Sequence, residues 1–233
     1  MGTVIAGSLV TDITYNAGAQ TGISVQGGLS SVNFNNSDGS TKVRLAANPN
    51  IIKYASPSGS PSLIMVDAPS AGYSYMSYGA WSGLTTSGGV INGFQGGTAT
   101  QGTSVPTTGS VTYNGTSTGY YSSQGGVNVR ESTGAVTLEV NFGSRSIAFR
   151  SGSGAQPMFG LLSYNVGSSA FSGQVTSVDP IGTGEKLFGF SGTLAGNFYG
   201  PVAQEVAGTF FMISNFGSCT PCQYVGAFGA KRP

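Results

Sequence analysis

Apolar positions in this chain alternate with polar ones and seldom recur at helical spacing. From Ala135 to Phe142, Val136, Leu138, Val140 and Phe142 fall on one side, and Thr137, Glu139 and Asn141 on the other. That period of two is the pattern of a half-buried strand. Gly143-Ser144 interrupts it, and Ser146 to Arg150 resumes it with Ile147 and Phe149 on one face. The two runs predict a β-hairpin with its six apolar side chains turned inward. Similar runs predict strands near Ser110–Tyr113, Gly126–Arg130, Phe159–Tyr164, Ala170–Val178, Lys186–Leu194, Glu205–Ile213 and Tyr224–Ala230. With the hairpin this makes roughly eight or nine antiparallel strands, about the number that closes an up-and-down barrel around packed side chains. Closure also removes edge strands.

Upstream, the short apolar runs Ile51-Ile52, Leu63–Val66, Tyr73–Trp81 and Val90–Phe94 suggest a smaller, less regular β domain. Gly93 to Gly109 is rich in Gly, Thr, Gln and Ser and reads as a linker or seam. The expected division is residues 1–104 and 105–233, an all-β chain with an N-terminal β domain before an eight-stranded antiparallel barrel. Pro57-Ser58-Gly59-Ser60-Pro61 reads as an exposed loop. No repeat of fixed period is visible.

Glycine accounts for 39 of 233 residues and charged residues for 7%. Ordinary soluble domains carry about 7% Gly and 25% charge, so this surface is covered by neutral polar side chains and backbone. That profile suits secreted, cell-surface or assembled proteins. The net charge is +1 and Lys231-Arg232 is the only adjacent basic pair. Without a basic stripe to neutralise phosphates, no nucleic-acid partner is expected. No apolar run is long enough for a transmembrane helix. Val4 to Val10 lacks the basic flank and length of a secretory signal, so no export signal is expected in this stretch.

The chain has no histidine, which removes Ser-His-Asp and Cys-His catalysis, most zinc sites and the commonest haem ligand. Its carboxylates are dispersed in sequence. Glu139 lies on the polar face of its strand, and Glu205, after a Gly-Pro turn, is placed to accept from a backbone N–H or a basic side chain. No enzyme, metal site or obligate cofactor is expected. Cys219-Thr220-Pro221-Cys222 is the only cysteine pair. It sits in a turn between two strands, where a Cys219–Cys222 disulfide pinning the hairpin is favoured over redox or metal chemistry. Tyr73, Tyr75, Tyr78 and Trp81 form an aromatic run, and such residues dominate protein-contact hot spots. Tyr73, Tyr75 and Tyr78 are therefore candidate binding residues. The competing reading is packing, with Tyr73 and Tyr75 on one strand face. Tyr78 or Met76 also offers a haem-ligand type.

Three ordered stretches carry a resemblance. They are Tyr75 to Trp81; Val105 to Gly115 followed by Gly134 to Phe142; and Gly196-Asn197-Phe198-Tyr199-Gly200-Pro201 with Glu205 to Phe210 and the closing Gly226 to Arg232. Together they resemble the barrel lobes of the bacterial transferrin-binding protein B family, over roughly residues 73–232. The resemblance implies a handle domain followed by an eight-stranded barrel, with Trp81, Phe198, Tyr199, Gly200, Pro201 and Glu205 as scaffold. It further implies a protein of the Gram-negative outer-membrane surface, or a secreted one, that captures host iron proteins, haem or other macromolecules through variable loops. A single lobe, against two in the transferrin receptors, counts against transferrin itself as the ligand.

Two functions follow. The first is a non-enzymatic surface or secreted protein that captures a host or environmental ligand, either haem-like or macromolecular, on loops 55–62, 151–157 and 179–185. The alternative is a self-assembling structural or decoration subunit of an extracellular or virion-type assembly.

Overall fold

A computed structural model describes residues 10–15, 22–27, 30–35, 39–85, 88–123, 128–152, 157–177, 189–214 and 222–233. Its regular structure is almost wholly antiparallel β. Strands β1 (Val10–Tyr15), β2 (Gly22–Gly27) and β3 (Ser30–Asn35) form a three-stranded sheet. A five-stranded meander follows: β4 (Thr41–Leu45), β5 (Asn48–Ala55), β6 (Ser62–Val66), β7 (Met76–Thr85) and β8 (Gly88–Gly97). A single helical turn, α1 (Ala68–Ala71), joins β6 to β7.

The remaining strands are β9 (Ser110–Ser123), β10 (Asn128–Asn141), β11 (Ser146–Gly152), β12 (Met158–Tyr164), β13 (Ala170–Thr176), β14 (Ser191–Tyr199), β15 (Glu205–Ser214) and β16 (Cys222–Lys231). They pair in sequence order, and β16 returns to β9 to close an eight-stranded barrel. The hairpin read from alternation is β10–β11, with Leu138 opposite Phe149 and Val140 opposite Ile147. All six of its apolar side chains are buried, and Glu139 is exposed.

Side chains fill the lumen. Phe198 is fully buried, with the rings of Tyr164, Phe171, Phe142 and Tyr113 at centroid distances of 5.2, 5.4, 6.1 and 6.3 Å. Phe149 lies 4.9 Å from Phe228, and Phe210 lies 4.8 Å from Tyr224. Tilted and edge-on contacts of this kind favour a single packing over many equivalent ones. Outside, Thr112, Glu139, Arg150, Gln174 and Thr193 meet solvent. A barrel with an apolar lumen and a polar outer face has the reverse polarity of a lipid-facing one.

Several local expectations change. The strands expected at Gly126–Arg130 and Ala135–Phe142 join: Asn128–Arg130 and Ala135–Asn141 are parts of one strand, β10, paired with β9 from Asn128–Ser123 to Asn141–Ser110, while residues 126–127 lie outside the described residues. Gly134, between the two runs, marks no turn. A Cβ on Gly115 would lie 2.0 Å from the Gly229 carbonyl oxygen, so the residue permits close strand approach. The strand expected at Lys186–Leu194 is β14, which begins at Ser191 and continues through the Gly196–Tyr199 motif; residues 181–188 lie outside the described residues. Gly93–Gly109 is no flexible linker. It begins inside β8, where Phe94 is fully buried, and Ala99 then bridges to Tyr199. Tyr73 and Tyr75 do not share a strand face, because β7 starts only at Met76.

The barrel's two ends differ. At one end the strands are joined by short turns, 142–145, 165–169 and 200–204. At the other end leave all four remaining connections, 124–127, 153–157, 177–190 and 215–221.

Substituting Phe198→Ala should cost about 3–5 kcal/mol, the range for emptying a buried aromatic site. Glu139→Ala should stay within about 0.5 kcal/mol. Chemical denaturation of both variants checks the register: equal effects would mean the inward and outward faces are misassigned.

Candidate functional site

The five-stranded sheet lies against the outside of the barrel at β9, β15 and β16. Ile51, Ile64, Val66, Met76, Tyr78, Ala80 and Ile91 pack there with Tyr120, Tyr199, Ala207, Val225 and Ala227 of the barrel. Backbones come unusually close. A Cβ on Gly93 would sit 2.3 Å from the Gly226 carbonyl oxygen, and one on Gly229 would strike Met76 and Tyr78 at 2.4–2.5 Å. Only glycine allows sheet and barrel to approach at those two points.

Polar groups fix the contact at the short-turn end. Glu205 is 4% exposed, and its carboxylate accepts the backbone N–H of Ser74 at 2.7 Å and of Tyr75 at 3.0 Å. Lys231 stands opposite Glu205 in the β15–β16 register. Its ammonium donates to the carbonyls of Ala71 at 3.0 Å and Gly72 at 3.1 Å, and lies 5.8 Å over the Tyr73 ring. Tyr73 donates to the Gly229 carbonyl at 2.9 Å, and the Tyr78 hydroxyl is bonded to Thr116. Thr100 donates to the Gly200 carbonyl at 2.6 Å, and Tyr199 to Gln95 at 3.0 Å.

The opposite end is held differently. Ser62 bonds Tyr120 at 2.9 Å and Ser82 at 3.0 Å, and Lys53 pairs with Glu131. Tyr120 and Glu131 lie near the ends of β9 and β10 from which connection 124–127 leaves. These links carry the β5–β6 turn to the end from which connections 124–127, 153–157, 177–190 and 215–221 leave, with Pro57, Ser58 and Gly59 exposed. One end of the molecule is therefore occupied by the junction bonds, and the other carries the exposed β5–β6 turn beside the ends of β9 and β10.

The electrostatics match this division. Burial raises the phenols of Tyr73, Tyr78, Tyr113 and Tyr120 well above their ordinary range, and pushes Tyr199 up to about 12. At Asp67 partial burial works upward, but hydrogen bonds from Ser70 and Arg44 and the Arg44 charge outweigh it and hold the carboxyl below its usual value. Among the described residues no three acidic or cysteine side chains group as a metal site would require.

Of the candidate binding residues, Tyr73 and Tyr78 are buried in the junction and Tyr75 is half-buried beside Gly200. Among the scaffold residues, Phe198 fills the lumen, and Tyr199, Gly200 and Glu205 line the junction, whereas Pro201 is exposed. Trp81 is buried on the sheet face opposite Tyr78, with Leu63 as its cross-strand partner. Cys222 opens β16 and is buried, with its sulfur accepting from Tyr121 at 3.2 Å; Cys219 lies outside the described residues. Sequence reasoning missed the Ser62–Tyr120 and Lys53–Glu131 links. Their partners are too far apart in the chain for any local pattern to join them.

Residues 105–232 match the family model of the C-lobe and N-lobe β-barrels of Tf-binding protein B, over more than half of the chain. The chain belongs to that family. Among solved structures, the isotype 1 transferrin binding protein B of serogroup B Neisseria meningitidis matches at 18% identity and a TM-score of 0.57, over 90% of this chain and 39% of that one. A single-site mutant of the vaccine antigen transferrin binding protein B from Haemophilus parasuis Hp5 matches at 20% identity and a TM-score of 0.56, over 78% of this chain and 38% of that one. The chain thus spans less than two-fifths of the length of these structures, with which it shares the fold of a Tf-binding protein B lobe. No curated protein sequence matches it.

The buried phenols predict an alkaline transition. Their folded pKa values exceed the unfolded value of about 10, so stability is intact below that pH and is lost as pH rises through the folded values. Absorbance at 295 nm should show Tyr73, Tyr78, Tyr113, Tyr120 and Tyr199 failing to ionise at pH 10 in the native protein, then titrating together on unfolding. Separately, Glu205→Ala leaves two backbone N–H groups without their acceptor and should cost about 1–3 kcal/mol, read by thermal denaturation.

Proposed function

We propose that this Tf-binding protein B-type lobe is a non-enzymatic binding protein of the bacterial cell surface, outer-membrane-anchored or secreted, that captures a macromolecular ligand on its loop rim. The observation that carries this reading is the segregation of the two ends. Junction bonds occupy one end, whereas the β5–β6 turn lies at the other, from which connections 124–127, 153–157, 177–190 and 215–221 leave, the last two the longest between barrel strands. A rigid scaffold that gathers its connections at one rim is the arrangement in which binding loops diversify without loss of fold. Of the three loops expected from sequence, 55–62 is described, while 153–156 and 179–185 lie outside the described residues. We further propose the domain division at 104/105 and a Cys219–Cys222 disulfide bracing connection 215–221 at that rim.

The relatives' name makes transferrin the first probe. Haem is less well supported, since Tyr78 would have to leave Thr116 and Met76 would have to leave its place under Gly229. Replacing the exposed turn residue Ser58 with Trp should weaken partner binding at least about tenfold, as insertion of bulk at a contact surface does. Thermal stability should be nearly unchanged. Surface plasmon resonance against transferrin, and against proteins captured from host serum, reads this. Partner contact confined to the junction motifs would overturn the proposal, as would substrate turnover abolished by changing one carboxylate. For the disulfide, thiol titration of the unfolded, unreduced protein should find no reactive group, and two reactive thiols would refute it.

A further inference from the structure

Beside the junction, away from the rim, a cleft of about 740 Å³ runs between the end of β8 and the outer face of β13–β15. Its floor is a row of small side chains. Ser172 faces Ala195 across β13–β14, and Ala195 faces Thr209 across β14–β15. Gln95 and Tyr199 form one wall, and the turn bearing Asn165 closes the far side. A smaller hollow of about 100 Å³ continues it past Ala195 and Thr209 to the half-buried ring of Phe211.

None of the residues lining the cleft is charged. The polar groups are amides and hydroxyls, and several are unspent. Gln95 accepts from Tyr199 through its amide oxygen, which leaves both amide hydrogens to donate. The hydroxyls of Ser172 and Thr209 make no hydrogen bond among the described residues and stand in line with Ala195 between them. Asn197, on the same strand face, interacts with Tyr199 and contributes a further amide.

We infer that this cleft binds a neutral, polyhydroxylated ligand, an oligosaccharide. Each sugar hydroxyl both donates and accepts, and side-chain amides and hydroxyls answer with the same dual capacity in a fixed plane. The absence of charge disfavours acidic glycans and phosphorylated ligands, which need a cation to offset their desolvation. The volume falls in the range of small-molecule sites, about 300–1,000 Å³, and the depressed Ser-Ala-Thr floor leaves room for a sugar ring. An added peptide strand would need regularly spaced side-chain pockets, and this floor has none.

The test is saturation-transfer NMR and calorimetry of the whole protein with neutral tetrasaccharides built on glucose, galactose or N-acetylglucosamine, and with a heparin-derived tetrasaccharide. At least one neutral probe should bind saturably and the heparin probe should not. Ala195→Trp fills the floor from an exposed position, so it should abolish that binding with an unchanged melting temperature and unchanged capture at the rim. Asn197→Ala should weaken it about fivefold, the loss of one uncharged hydrogen bond. The inference is overturned if no neutral tetrasaccharide binds at millimolar concentration, if Ala195→Trp binds as well as the native chain, or if only extended peptides or the acidic probe bind. Because the rim is untouched by Ala195→Trp, failure here is separable from failure of rim capture.

Discussion

Two opposite charges on neighbouring strands hold the molecule in its form. Glu205 and Lys231 face each other at the foot of β15 and β16 and bond the two halves of one short segment, residues 71–75. The ammonium takes the carbonyls of Ala71 and Gly72, at the carbonyl end of a helical turn, and the carboxylate takes the N–H groups of Ser74 and Tyr75. Each end of a tight backbone turn thus meets the charge that its own dipoles favour. In a chain with so few ionisable groups, placing two of them here orients β7 on the barrel. The glycine contacts at Gly93 and Gly229 and the aromatic hydroxyls then follow from that orientation.

The consequence reaches the far end. Once β7 is set against β9 and β16, the β5–β6 turn must emerge at the end from which connections 124–127, 153–157, 177–190 and 215–221 leave. Ser62, Tyr120, Lys53 and Glu131 secure that placement with one buried hydroxyl pair and one half-buried ion pair. The rim is therefore composite, and its geometry is set by contacts that lie outside its loops.

Much of the barrel was legible in the sequence because alternation is a local signal. Val136 to Phe149 shows this: the apolar set, the register and the exposed Glu139 all follow from spacing. The reading failed where one residue type serves two purposes. The strands read at Ser110–Tyr113 and Ala135–Phe142 stop short of Gly115 and Gly134, which lie inside the longer paired strands β9 and β10, and the glycine-rich stretch from Gly93 begins inside β8 and packs on the barrel. A glycine that bends the chain and a glycine that admits a neighbouring backbone look alike without the neighbour. Tyr73 and Tyr78 showed the same ambiguity. Their residue type fits both contact surface and core, and only burial against Gly229 and Thr116 separates the two. The exposed turn around Ser58 was legible, but its placement beside Tyr120 was not, since that depends on a pairing 58 residues apart.

The separation of junction from rim also bears on how such a fold can persist at 18–20% identity to its structural relatives. The junction draws on backbone groups, glycine contacts and a few buried phenols, and it makes little use of rim side chains. Substitution at the exposed positions Pro57 or Ser58 removes no buried contact and leaves no buried polar group unpaired, so it falls in the range of small surface effects. Substitution at Glu205, Gly93 or Gly229 strikes backbone groups that have no other place to go. Change is thereby channelled toward the rim, where it alters what the molecule can touch without altering whether it folds.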